Sequence, residues 1–153
     1  VYGIRAAPHD YESMLTGMAR AGLKNISPHI CVGLNFGVLK GEAKALQLVS
    51  KIVPSVIVIT VLIPTAGTPM ENVAHPAPYD VAKVVAVANM MFPETPVSLG
   101  CVRPGGKHRH EVDKLAVKAG VSKIAVPSKP AFDESRKMKL KIRVYRDFMC
   151  CCV

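Results

Sequence analysis

Apolar positions along this chain switch between a helical spacing and unbroken runs, and the alternation predicts the elements. Residues 11–21 place Leu15, Met18 and Ala19 on one helical face, with Asp10 as cap and Gly22 as stop. Residues 26–34 read as a strand. A second helix over 41–53 groups Ala45, Leu46, Val49 and Ile52, ends at Pro54, and precedes the apolar run 56–63, a strand buried on both faces. The step then repeats: helix 79–91, strand 96–99, helix 111–119 closed by Gly120, strand 123–126, and a helix over 132–139. Strands alternating with helices of about ten to fifteen residues imply crossover connections and a parallel sheet, either open and doubly wound or part of a barrel. A dinucleotide fingerprint of the GxGxxG kind follows none of the strands, so the expected fold class is α/β, a partial (β/α) TIM-type barrel.

The unusual residues fall after strands. Gly33, Asn35, Gly37 and Gly41 follow one, the turn from Pro64 to Pro69 follows the next, and Gly100, Cys101, Arg103, Pro104, Gly105 and Gly106 follow the third. Loops entering the strands are short and plain. In a barrel the first set gathers on the C-terminal face, where catalytic groups collect, and this favours an enzyme. Pro64, Thr65, Ala66, Gly67, Thr68 and Pro69 can present peptide groups to a flat polar ligand, although a strand-to-helix turn would have the same composition.

Composition narrows the classes. Half of the 153 residues are hydrophobic, yet Pro54 and Pro64 break the longest apolar run well short of the roughly 20 residues that span a bilayer, so no membrane role is expected. Residues 1–102 hold 7 Lys/Arg against 6 Asp/Glu, whereas 103–153 hold 13 against 5. A basic end favours anionic partners, but no aromatic interleaving accompanies it; Lys114, Lys118, Lys123, Lys137 and Lys139 read as solvated faces, and nucleic acid is a minor option. Arg103, Lys107, His108, Arg109 and His110 crowd one loop, where Arg103 can grip a substrate carboxylate or phosphate. His108 and His110 lack a third ligand and are assigned no metal. The five cysteines form no disulfide framework, and a reducing cytoplasm is the expected compartment.

The blocks GLKNISPHICVGL, the pair Gly41-Glu42, VLIPTAGTPM, VANMMFPETPVSLGCVRPGG and LAVKAGVSKIAVPS, in this order, resemble the later half of the radical S-adenosylmethionine barrel of biotin synthase and its relatives. The resemblance runs over nearly the whole chain and divides it into barrel (1–140) and a C-terminal strand with a cysteine tail (141–153). It implies S-adenosylmethionine and a [4Fe–4S] cluster as cofactors. The cluster's CxxxCxxC loop is not in this sequence; its cysteines would lie upstream of Val1, and the chain, which opens on Val rather than Met, reads as a fragment. By the same resemblance His29, Cys31 and Gly33 pack against the adenosyl group, and Ile63, Pro64, Gly67, Thr68 and Pro69 meet adenine through backbone atoms. An electron donor such as ferredoxin or flavodoxin, a small-molecule or acyl-chain substrate, and a partner subunit are further implications.

Two departures separate the chain from biotin synthase itself, since Ile26 and Ser98 stand where the auxiliary [2Fe–2S] cluster takes a cysteine and an arginine. The block around Cys101 and the late cysteine pair are more similar to biotin synthase homologues, some of which resemble an archaeal lipoyl synthase that inserts sulfur into an octanoyl chain. Cys101 with Cys150 or Cys151 is then a candidate ligand set for an auxiliary iron–sulfur cluster, against the alternative of incidental thiols in a frayed tail. The competing class is a non-catalytic or degenerate α/β small-molecule-binding protein that lacks the cluster. An aldolase-like barrel would need a Schiff-base lysine or paired carboxylates at strand ends, whereas Lys40 falls in a loop and Glu42 at a helix start.

Overall fold

The computed structural model describes residues 5–146, within which helices and strands alternate: α1 (Pro8–Arg20), β1 (His29–Val32), α2 (Glu42–Val49), β2 (Ile57–Val61), α3 (Pro78–Met91), β3 (Val97–Leu99), α4 (Gly106–Lys118), β4 (Lys123–Ile124) and α5 (Lys129–Lys137). The strands form one sheet in the order β1-β2-β3-β4, every pair parallel. His29 lies opposite Val58, Ile57 opposite Val97 and Ser98 opposite Lys123.

Side chains alternate across a strand, so each strand offers one set to the helices and one to the far face. Ile30 and Val32, Ile57, Ile59 and Val61, and Val97 and Leu99 form a single cluster with Leu46 and Val49 of α2, Val81, Val84, Val85 and Ala88 of α3, and Val112 and Ala116 of α4. These helices therefore share one side of the sheet. Strand order that follows chain order under a single helix layer is a singly wound arrangement, compatible with part of a (β/α) barrel; a doubly wound sheet would carry helices on both faces. Ile57, Val58, Ile59 and Val61 of β2 are wholly buried, each worth about 1.5–3 kcal/mol by burial alone.

The sheet has two unpaired edges among the described residues, at β1 and β4. Beside the β1 edge, α1 buries none of its residues. Its Tyr11, Met14 and Leu15 instead line a trough of about 610 Å³ whose floor is β1 and whose far wall is α2. No helix among the described residues is long and apolar enough to cross a membrane.

Three elements differ from the sequence reading. Asp10 does not cap α1: the cap position is Ala7, and Asp10 Oδ2 accepts the Ala7 N–H at 2.7 Å from the first turn. Helix α4 opens at Gly106, so Lys107, His108, Arg109 and His110 stand at the start of the helix, over its first turn and into its second, rather than in a loop. Glycine is tolerated at a helix N-terminus, and four consecutive polar residues carry no apolar period that would reveal the turn. Residues 141–146 form no strand, and the cysteine tail lies outside the described residues.

Candidate functional site

The chain ends of four parallel strands meet at one end of the sheet, and the loops leaving them are tied to one another. After β1, Gly33 and Gly37 adopt φ values of 88° and 79°, which L side chains resist. Gly33 N–H donates to Glu42 Oε1 at 2.8 Å, and Gly37 N–H to Gly33 O at 2.8 Å. Both glycines also press on the loop after β2: a Cβ on Gly33 would lie 2.9 Å from Pro76 Cγ, and one on Gly37 only 2.2 Å from Ala74 O. Pro76 O in turn accepts from His108 Nε2 on α4 at 2.9 Å, which fixes the His108 tautomer, and the His75 and His108 rings pack 5.2 Å apart.

The loop after β3 is held by Arg103, whose side chain is fully buried. Its Nε donates to Asp113 Oδ1 at 2.7 Å and its Nη1 to Gly100 O; Nη2 reaches Asp113 Oδ2 (3.3 Å), Ala125 O (2.8 Å) and Val126 O (3.2 Å). Asp113 Oδ2 also accepts Ser128 N–H at 2.8 Å. The expected grip of Arg103 on a substrate carboxylate or phosphate is therefore corrected: each of its guanidinium nitrogens is bonded within the protein, and it joins the end of β3 and the end of β4 to Asp113 of α4, which in turn holds the start of α5. Gly100 belongs to the same end. A Cβ there would meet Thr60 Cγ2 at 2.9 Å, so glycine lets β3 lie close against β2.

The residues matched to an adenosyl pocket fall on neighbouring strand ends. His29 is exposed, Cys31 half-buried and Gly33 buried on β1 and its exit, and Ile63 is 42% exposed beyond β2. In the following turn Gly67 N–H is taken by Glu71 Oε2 at 2.8 Å, and Thr68 N–H by Thr65 O at 3.2 Å. A Cβ on Gly67 would meet open space, so its φ of 77° rather than close approach requires glycine. Cys101 is exposed after β3, and β2 separates it from Cys31. Cys150 and Cys151 lie outside the described residues. Among the described residues no three His, Cys, Asp or Glu side chains group as a metal site.

Burial pushes the Cys31 thiol above its ordinary pKa; a hydrogen bond from Thr60 opposes this, and the Glu42 carboxylate adds to it. Near pH 8, where thiolate is the reacting form, iodoacetamide is thus expected to alkylate exposed Cys101 well ahead of Cys31, read by peptide mass spectrometry. Equal rates would mean that the trough beside β1 opens freely.

Two site-building residues escape a reading by motif, Glu42 and Asp113. Each is an acid on the apolar stripe of its helix, in line with Leu46 and Val49 in one case and with Ala116 and Val117 in the other, and each is buried. A charge on that stripe is the available signal, because it persists only when hydrogen-bonded inside.

The fold and this interlocked end define an α/β protein whose described exit loops gather at the C-terminal end of a parallel sheet. Comparison with known proteins points further: the chain is 29% identical over 86 residues to the biotin synthase of Coxiella burnetii, a stretch covering 53% of the chain and 27% of that protein. It is 28% identical over 100 residues to the biotin synthase of Vibrio cholerae serotype O1, covering 61% of the chain and 28% of that protein. The chain thus matches little more than a quarter of the length of these relatives, a distant and partial homology in the direction of the radical S-adenosylmethionine superfamily. No family model matches the chain, and no solved structure does.

Proposed function

We propose that the C-terminal end of this sheet is one wall of the reacting site of a biotin synthase-like radical S-adenosylmethionine enzyme, and that its reaction is lipoyl synthase-like sulfur insertion into an unactivated carbon chain. The observation that carries the reading is the coincidence of partial homology to biotin synthases with a singly wound parallel sheet whose exit loops are locked together.

What supports an adenosyl group here is that exposed Ile63 offers an apolar surface beside the exposed residues 65–69 of the turn. Gly33, Ile63, Pro64, Thr68 and Pro69 would hold it, with Gly67 shaping the turn. When bound and cleaved by one electron from a reduced iron–sulfur cluster that the described residues do not hold, S-adenosylmethionine would supply the 5′-deoxyadenosyl radical, with methionine released. The described residues do not fit a [4Fe–4S] cluster, since Cys31 and Cys101 stand apart and no third ligand joins them. Their part is to form an apolar, positioned wall.

Anaerobic purification and reconstitution of the full-length protein tests the reading. About four iron and four sulfide per chain are expected for the cluster that reduces S-adenosylmethionine, and about twice that with an auxiliary cluster as sulfur donor, together with a spectroscopic change on adding S-adenosylmethionine. Absence of both iron and S-adenosylmethionine binding would leave the protein as an α/β small-molecule binder without redox chemistry.

A further inference from the structure

Among the described residues three non-glycine residues have positive φ, Phe36, Val126 and Lys139, and of these Val126 is β-branched. Its φ of 46° is costly for such a side chain, and Pro127 behind it favours extended backbone at this position. The conformation is imposed by a bracket. Val126 O accepts from Arg109 Nη2 at 2.8 Å and from Arg103 Nη2 at 3.2 Å, while Ala125 O and Ser128 N–H are bound by Arg103 and Asp113 on either side.

The isopropyl group gains little burial from this arrangement, because Val126 is 71% exposed. Glycine would satisfy the bracket without strain. Strained residues held by their surroundings gather where a ligand is met. Exposed apolar side chains also follow the adjacent strands, Ile63 after β2 and Val102 after β3, and Val102 O is bonded to Val61 N–H at 3.0 Å. Ile63, Val102 and Val126 thus follow β2, β3 and β4 in turn at the proposed reacting face.

We propose that Val126 is a specificity-determining residue, its side chain held out by the Arg103, Asp113 and Arg109 bracket to contact the hydrocarbon part of the substrate. The inference rests on the reading of this face as the reacting one. It assigns Arg109 a positioning role, not contact with substrate.

Octanoate titrated into the full-length protein, read by calorimetry, tests it alongside thermal melting. Val126→Gly is expected to raise the melting temperature by about 2–4 °C as strain is released, and to weaken octanoate about tenfold. Val126→Ile is expected to keep the affinity within about twofold with no gain in melting temperature. A Val126→Gly protein that binds octanoate like the parent, or that melts lower, would overturn the inference, as would a parent protein that does not bind octanoate. Formation of 5′-deoxyadenosine by the parent is scored separately: its absence rejects the radical reading, while the octanoate comparison still decides the role of Val126.

Discussion

Replacing Arg103 with Met should cost the protein about 3–5 kcal/mol, because it strands the Asp113 carboxylate without a cation at zero exposure. Five hydrogen bonds end on that guanidinium, to Asp113 twice, Gly100, Ala125 and Val126, and Met replaces only its volume. Arg103→Lys keeps the charge but lacks the fork, and should recover only part of the loss. The double variant Arg103→Met with Asp113→Leu removes both charges and should be more stable than Arg103→Met alone, since the uncompensated buried acid is then gone. Denaturant melts of the four proteins measure this directly. Equal stability of Arg103→Met and the parent would mean that the bracket is open to water in solution.

Gly37→Ala is the second large effect, at about 3 kcal/mol. The new Cβ would fall 2.2 Å from Ala74 O and 2.9 Å from Val73 Cγ1, and φ at 79° adds a left-handed penalty. Gly67→Ala is the matched control: its φ is 77°, but its Cβ meets nothing within 4 Å, so only the backbone penalty of about 1–2 kcal/mol applies. The difference between the two isolates the contact between the loops after β1 and β2. If both cost the same, those loops are not packed together, and the proposed reacting face loses one of its ties.

The alternation of helix and strand was legible because each buried face leaves its period in the chain, as in Leu46 and Val49 of α2 or the unbroken run of β2. Sheet direction followed from helix length. What escaped was anything decided by a side chain's partner. Arg103 among glycines and a proline reads as an exposed anion grip, and its burial depends on Asp113, ten residues on and across a helix turn. The start of α4 hid because Lys107, His108, Arg109 and His110 have no apolar period. Gly33 and Gly37 were flagged as loop residues, but their contacts with Pro76 and Ala74 are set by the meeting of two loops and leave no local pattern. Val126 is the extreme case, since nothing in the letters around it announces a left-handed valine.

The central claim, that this sheet end is a wall of a radical S-adenosylmethionine site, is tested most directly by one assay. The full-length protein, reconstituted anaerobically and reduced, is incubated with S-adenosylmethionine, and 5′-deoxyadenosine is quantified. The account predicts that 5′-deoxyadenosine forms, and that Gly37→Ala slows its formation by disturbing the loops after β1 and β2. A protein that holds its cluster and binds S-adenosylmethionine yet yields no 5′-deoxyadenosine would contradict it.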